Sequence, residues 1–528
     1  MTKKLTWIIW GLSACCLSAP VLALGNFLDS NGIDALRLHQ PPYNLTGRKI
    51  AIGQVEIGRP GKFGLDKAVS KNHAVSLAGV FLRTSKAISN TSVDPHAYNV
   101  AGIMVSTDKA LKGIAPEARL YSSAIGSTKN MSQSEECLSA QHIALQNGKD
   151  VRAINFSFGE PLNRDPRPEA VLDGNALLTL CIDWSSRAHN VLYVVAGNQG
   201  KGGISIPTDN YNGLNVAFSS RRGGVFNKVD VSNLAASDQA MIQRLAGREI
   251  NLGSRSGISL VAPGSNIRLL SPDGKTNKVT GTSFAAPQVT ATAALLQEFG
   301  DRQLRKKQPN WSIHSRRHEV MKAVLLNSAD KIKDTGDGFR LGMTRTLIDK
   351  QNRDWLASVA YKNPKIPLDS QMGAGHLNAF RAYKQFSAGE WDPSQPVPAI
   401  GWDYHTIDAG ASMEYTLDKK LQQGSFIAIT LIWDRLVELE DKNKTGEYDA
   451  NDEFRDRGLN NLALYLVKAD ARNTEAAICS STSEVDNLQH IFCPVPATGN
   501  YKIRVQFPRK VNENTQPYAL AWWSVPAK

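Results

Sequence analysis

From about Arg48 to Tyr383, short apolar runs alternate with stretches of helical period. Lys49-Ile-Ala-Ile-Gly-Gln-Val55, Arg119-Leu-Tyr-Ser-Ser123, Val151-Arg-Ala-Ile-Asn-Phe156 and Asn190-Val-Leu-Tyr-Val-Val195 each read as a strand. Glu136–Gln146 and Ala176–Ala188 are helix candidates between them. Buried β runs alternating with helices predict a doubly wound parallel α/β sheet, whose ligands bind at the strand C-termini. Around Gly389-Glu-Trp-Asp-Pro-Ser-Gln-Pro-Val-Pro398 the pattern breaks at a proline-rich connector. Beyond it the period becomes two, in Phe426–Trp433, Leu462–Val467, Tyr501–Phe507 and Tyr518–Trp523. This predicts an all-β sandwich of roughly 125 residues.

The first residues carry a different pattern. Lys3 and Lys4 precede an apolar run from Leu5 to Leu22, which ends at Val21-Leu22-Ala23. That is the three-part layout of a cleaved secretory leader. Leu12-Ser13-Ala14-Cys15 also fits a lipoprotein box, which would leave the chain anchored through Cys15. An uncleaved anchor is the third alternative, with Gly11 and Pro20 interrupting a run barely long enough to span. The expected division is therefore a leader over 1–23, an N-terminal extension over 24–47, the α/β domain over 48–385, a linker over 386–400 and the sandwich over 401–528. Cys137 and Cys181 fall in the first domain, Cys479 and Cys493 in the second. In an exported chain that placement suggests one disulfide within each.

The formal charge of +12 falls to +10 once Lys3 and Lys4 leave with the leader. No basic stripe is interleaved with aromatics, so nucleic acid is not an expected partner; association with an anionic envelope surface and simple solubility are the two remaining readings of the surplus. The densest basic run, Arg302 to Lys307 with Arg316-Arg317, reads as a solvated loop beside Pro309.

The strongest chemical signal is Gly281-Thr282-Ser283-Phe284-Ala285-Ala286-Pro287, followed by an Ala- and Thr-rich run from Val289 to Leu296. Small residues let a substrate approach the serine. A buried helix starting just after it would aim free N–H groups and a positive dipole end at the serine oxygen. Pro287 must then lie in the first turn.

This motif resembles the nucleophile signature of the subtilases, and the other blocks of that family follow in order. His96-Ala-Tyr-Asn-Val-Ala-Gly102 is similar to the histidine block, with Gly113-Ile-Ala-Pro-Glu-Ala downstream. His73-Ala-Val-Ser-Leu-Ala-Gly79 is a rival that lacks this sequel, so His73 is expected on the surface or in a loop. Ala97 and Tyr98 replace the usual Gly and Thr, so the helix start is expected to be built differently. Ile52-Gly-Gln-Val-Glu56-Ile-Gly58 occupies the place of the acid block, with glutamate where the family carries aspartate. Asp66, in a polar loop, and Asp94, two residues from His96, do not fit that place. Val194-Val-Ala-Gly-Asn198 resembles the block whose asparagine donates to the oxyanion, and Ile154-Asn-Phe-Ser157-Phe158-Gly159 the strand whose backbone pairs with substrate. His142, His189 and His376 are expected to be structural.

The resemblance implies peptide-bond hydrolysis through an acyl-enzyme. Ser283 would attack, His96 transfer the proton, Glu56 orient the ring, and Asn198 hold the oxyanion. It implies a protein or peptide substrate, no catalytic cofactor, and a secreted or periplasmic location. Structural calcium, common in the family, leaves no linear signature here. Too little chain separates Ala23 from Arg48 for a folded propeptide, so folding without one is expected. The alternative is a binding or adhesion protein on a decayed catalytic fold, with Glu56 and the Ala97-Tyr98 pair as the marks of decay. In the tail, Leu459-Asn-Asn-Leu-Ala-Leu-Tyr465 resembles the sandwich appended to bacterial subtilases, with Asn461 and Ala463 replacing its aspartates.

Overall fold

Six consecutive buried residues, Ala51–Glu56, form strand β1 in the interior of the main sheet. A strand covered on both faces needs no alternation, and its near-continuous apolar run is what the sequence displays. The computed structural model describes residues 27–70, 72–126, 132–197, 206–230 and 255–527. Its largest sheet has ten strands. After β1 come β2 (Leu77–Leu82), β3 (Ser85–Lys86), β4 (Arg119–Ala124), β5 (Val151–Phe156) and β6 (Leu192–Ala196). The rest are β7 (Leu214–Arg222), β8 (Val225–Val229), β9 (Leu260–Pro263) and β12 (Leu347–Ile348), while β10 (Ile267–Leu270) and β11 (Thr276–Val279) pair as a separate hairpin. The spatial order is β12-β8-β7-β6-β5-β1-β4-β2-β3, with β9 beside β7. Pairing is parallel except at β7–β8 and β2–β3, so the doubly wound α/β expectation holds with antiparallel additions near the edges. Helices Gln133–Ala144 and Leu177–His189 fall within a few residues of the stretches expected from the sequence.

The chain before β1 is part of this body. Phe27, Leu28, Ile33, Leu38 and Leu45 are buried in the same apolar core as β1. Glu298, on the helix Ala286–Arg305, accepts the backbone N–H groups of Thr46, Gly47 and Arg48.

Beyond Ser387 two antiparallel sheets stack as a sandwich. One is β13 (Ile400–Asp408), β22 (Thr515–Trp523), β15 (Phe426–Ile432) and β20 (Leu488–Pro494), in that order. The other is β14 (Ser412–Thr416), β21 (Tyr501–Arg509), β18 (Asn461–Lys468) and β19 (Cys479–Ser481), and β16 (Val437–Glu440) pairs with β17 (Glu453–Asp456) apart from both. Ile429 and Leu431 meet Leu464, Leu466, Ile503 and Val505 between them. The outer face of the first sheet is covered as well. Trp402, Ile432, Ala519 and Ala521 belong to the core of the α/β body. The connector is pinned: Glu390 N–H donates to Asn310 O, and Trp391 N–H and Trp402 N–H bond Trp402 O and Gly389 O.

Both expected disulfides form, Cys137–Cys181 and Cys479–Cys493. The basic run is a correction. Arg302 and Arg305 lie in the last turn of the Ala286–Arg305 helix, where cations complement the dipole. Arg302 is held by Glu298 and by the carbonyls of Tyr43 and Asn44, and Arg316 by Asp301. The solvated loop is only residues 306–310, all of them exposed.

Candidate functional site

Ser283 lies in a single turn, Thr282–Phe284, immediately before the helix Ala286–Arg305. Pro287 falls in that helix's first turn, where its missing N–H costs nothing. Residues 286–298 are buried, so the free N–H end of a long internal helix points toward the serine turn. Gly281, at φ +147°, makes the bend that delivers Ser283. Its N–H donates to Gly264 O at 2.9 Å. A Cβ on Gly264 would fall 2.7 Å from Gly281 O and 2.5 Å from Phe218 Cβ, which fixes the second glycine by close approach.

The end of β5 is sewn to this turn. Ser157 Oγ donates to Ser283 O at 3.0 Å, and Ser283 Oγ donates to Ser157 O at 3.3 Å. Asn155 Nδ2 donates to Ser157 Oγ at 2.8 Å and orients it. Phe158 is buried and stacked on Phe156, leaving Ser157 and Gly159 to present backbone. Glu160, next in the chain and buried, bonds Ile206 through its backbone and lies 3.7 Å from Arg164. Burial pushes its carboxyl and that of its neighbour Glu136 up; neither was singled out in the sequence, for want of any pattern linking them.

His96 sits at the start of the helix Pro95–Val105. Asp94 caps that helix, accepting His96 N–H at 2.9 Å, and Pro95 presets the first turn. This is how the helix begins without the usual Gly-Thr pair. It also gives Asp94, passed over as an acid, a different task. Tyr98 is buried, and Gln54 on β1 donates to Ala97 O at 2.9 Å, tying helix to strand. The His96 ring lies 5.4 Å from the ring of Phe284, the residue after Ser283. Its side chain remains 38% exposed.

Glu56 closes the arrangement from the C-terminal end of β1. The side chain is 1% exposed, and Oε2 lies 3.5 Å from His96 Nδ1. Burial pushes the Glu56 carboxyl up, against the hydrogen bond and charge of His96, which pull it down. Burial pulls the His96 ring down, but the hydrogen bond and charge of Glu56 outweigh it and leave the ring above its ordinary value. Both directions have one physical cause: a buried carboxylate is costly, and a proton on the adjacent imidazole relieves the cost.

The structure thus brings Glu56, His96, Ser283 and Ser157 together. Asn198 lies outside the described residues; Gly197, just before it, is the last residue of that run. His73 is exposed, its ring against Phe63. Asp66 is fully engaged by the buried Arg59 guanidinium, whose two nitrogens bond it at 2.6 and 2.8 Å. His142, His189 and His376 pack on Phe81, Trp184 and Phe226 respectively. Among the described residues one cluster has the composition of a metal site, His318 with Glu319 and Asp434. Its two ring nitrogens face different carboxylates, each at 3.1 Å, so the ring serves as a cationic bridge between them.

A profile of the subtilase family matches residues 49–344. Subtilisin Savinase from Lederbergia lenta is 27% identical over 221 residues, 41% of this chain and 65% of that protein. The major intracellular serine protease of Bacillus subtilis (strain 168) is 27% identical over 198 residues, 37% of this chain and 52% of that one. The chain therefore matches less than two thirds of the length of either. Among solved structures, the prenylagaramide maturation protease PagA aligns with 63% of this chain and 93% of its own at 22% identity, with a TM-score of 0.39.

Proposed function

Because the chain belongs to the subtilase family, we propose that it is a serine endopeptidase that cleaves peptide bonds through an acyl-enzyme. Ser283 attacks the scissile carbonyl, and His96 takes the hydroxyl proton and returns it to the leaving amine. Glu56 orients His96 and stabilises its cation, in the place where the family blocks carry aspartate. The Ser283 N–H, with the side chain of Asn198, receives the oxyanion. Ser157–Gly159, at the free end of β5, pairs with an extended substrate backbone.

The observation that carries this reading is the convergence of Glu56, His96 and the Ser283 turn at the C-terminal ends of β1 and β5, where an open α/β sheet places its ligands. The serine is not yet aligned for attack, since its hydroxyl rests on Ser157 O. That carbonyl is also the natural acceptor for a substrate N–H. Strand pairing would then displace the serine hydroxyl and free it for His96. Two disulfides fit an oxidising compartment, and we place the protein outside the cytoplasm on that ground.

A serine-directed fluorophosphonate tests the reading. Labelling of the parent and its loss in Ser283→Ala is the expected result. A folded parent that takes no label would overturn it.

A further inference from the structure

Two buried carboxyls that take no part in the mechanism lie behind the strand end that would receive substrate. Glu160 directly follows Ser157–Gly159, and Glu136 lies on the helix Gln133–Ala144. We propose that these two carboxyls share one proton, and that the bond between them holds the end of the substrate-pairing segment in place until rising pH removes it. The pair acts on the peptidase site of the preceding reading, on which its role in substrate binding depends.

Glu136 is 0% exposed and Glu160 1%. Among the described residues, neither oxygen of Glu136 accepts from an amide, a hydroxyl or a cation, and neither does Glu160 Oε1. What Glu136 meets is the Glu160 carboxyl, and the two side chains hydrogen-bond each other. Two carboxylates cannot form that bond, because each only accepts; one of them must carry a proton and donate it. Arg164 stands 3.7 Å from Glu160 Oε1 and decides which. Glu160 is the carboxylate that faces the cation, and Glu136 is the acid that donates to it. One positive charge then balances one negative charge.

Loss of the proton would add a second buried anion with no second cation to meet it. Among the described residues, the other charges on the elements around the pair are engaged elsewhere. Glu135 faces Arg83, Glu56 faces His96, Asp165 is held by Arg167 and Asp183 by Arg435. Asp209 accepts from the Thr179 hydroxyl and the Gly174 N–H. Glu136 does lie in the first turn of its helix, where the dipole favours an anion. That effect is smaller than the cost of burying one carboxylate against another. Burial and the Glu160 charge accordingly push the Glu136 carboxyl well up.

The two partners are not equally free to separate. Cys137, beside Glu136, is bonded to Cys181 and fixes its helix to the helix Leu177–His189. Phe158 is buried and stacked on Phe156. Glu160 is held from the other side only by its backbone bonds with Ile206, at 2.8 and 3.1 Å. Repulsion between the carboxyls therefore falls on Gly159 and Glu160, at the outer end of the segment that would pair with substrate. Substrate binding weakens, with no direct displacement of Ser283 or His96.

The test uses the full-length protein carrying isotope-labelled glutamate, and follows the infrared C=O band of protonated glutamate. KM is measured in parallel on a peptide blocked at both ends and free of titratable side chains. At about pH 6, where an ordinary glutamate is ionised, the parent should show an acid band that both Glu136→Gln and Glu160→Gln remove. Either substitution leaves one carboxylate with an amide donor beside it, and loss of the band in both marks a shared proton. With rising pH the parent band should vanish while KM increases about three- to ten-fold, the worth of about one hydrogen bond, at the same midpoint. KM of Glu136→Gln should stay flat over that range. No acid band at about pH 6, a band that survives in Glu160→Gln, or a KM indifferent to its loss would each overturn the proposal. The first and third outcomes need only the parent. Failure of the peptidase reading shows separately, as a parent that takes no fluorophosphonate, while the band still reports on the pair.

Discussion

Glu56 Oε2 lies 3.5 Å from His96 Nδ1, with the longer of the two acidic side chains set on an unyielding strand end. β1 is paired on both sides, and Ile125 N–H donates to Glu56 O at 2.9 Å, so the backbone cannot move to suit a different acid. Glu56→Gln keeps the shape, removes the charge and offers an amide to the ring. Its kcat/KM should fall by about 10³ to 10⁴. Glu56→Asp withdraws the carboxyl by about one C–C bond, roughly 1.5 Å, and should cost about 10². An aspartate variant as active as the parent would show that the strand end yields after all.

The same pair sets the pH dependence. In the proposed mechanism catalysis needs neutral His96, and Glu56 holds the ring above its ordinary value against the opposing effect of burial. The acid limb of kcat/KM should therefore have its midpoint above about 6.5 in the parent. In Glu56→Gln only the smaller effect of the Asp94 charge still opposes burial, and the limb should move to lower pH. A profile of both enzymes on one peptide substrate checks the sign; a limb that moves up in the variant contradicts it.

The sequence displayed what period and motif can carry. β1, β4, β5 and β6 are buried runs, and the serine turn announces itself through Gly281, Pro287 and the small residues between them. Only part of the sandwich was visible, because β13, β14 and β20 mix charged and polar residues into their period. The docking of its first sheet on the α/β body was not legible at all. A buried Trp402 or Ala521 has the same local pattern whether it faces a second sheet or another domain. Ion pairs such as Arg435 with Asp183, separated by 252 positions, have no linear signature either. The cap at Asp94 does have a linear signal, an Asp-Pro step before a helical run.

His318 joins the two bodies as a charged bridge, with Glu319 on its own helix and Asp434 from the sandwich each 3.1 Å away. Burial pulls the ring down, but the two carboxylates prevail and raise it. A raised histidine stabilises the fold fully below its unfolded value, about 6.5, and loses that contribution as pH rises through the folded value. Asp434 is held below its ordinary value by His318, against burial, so its contribution is present above about 3.9 and fails in acid. Lys322, pulled down to about 8 by burial, titrates nearby with the opposite sign. The readout is therefore the difference between parent and His318→Gln in denaturant unfolding, which should shrink as pH rises. Asp434→Asn leaves the buried cation only Glu319 and should cost less, near pH 6, than the about 3–5 kcal/mol of a fully stranded charge. A pH-independent difference for His318→Gln would rule out the charged bridge.

Arg435 is the second anchor between the bodies. Its guanidinium reaches Asp183 at 3.3 Å, Gly174 O at 2.7 Å and Asp456 at 2.8 Å, and Asn212 Oδ1 accepts its backbone N–H. Asp183 is wholly buried on the helix Leu177–His189, and burial already pushes its carboxyl up. Removing the cation leaves that carboxyl to protonate or to pull the helix toward water. Arg435→Met should therefore cost about 3–5 kcal/mol, and chains ending after residue 392 should be insoluble, because Trp402, Ile432 and Ala521 complete the core of the α/β body. Soluble, cooperatively unfolding material from such a truncation would contradict this.

Ser157 offers the sharpest separation of positioning from chemistry. Its hydroxyl bonds Ser283 O while its own carbonyl receives the Ser283 hydroxyl, so strand end and serine turn are placed by one residue. Ser157→Ala deletes the first bond and leaves the carbonyl, and with it the pairing of a substrate backbone, in place. A neutral buried hydrogen bond of this kind contributes about 1 kcal/mol. If that energy holds the serine turn in its reactive position, kcat should fall about five- to ten-fold while KM stays near the parent value. A rise in KM at constant kcat would instead assign Ser157 to substrate binding alone. Fluorophosphonate labelling, which needs no strand pairing, should slow in proportion to kcat under the first outcome and be unchanged under the second.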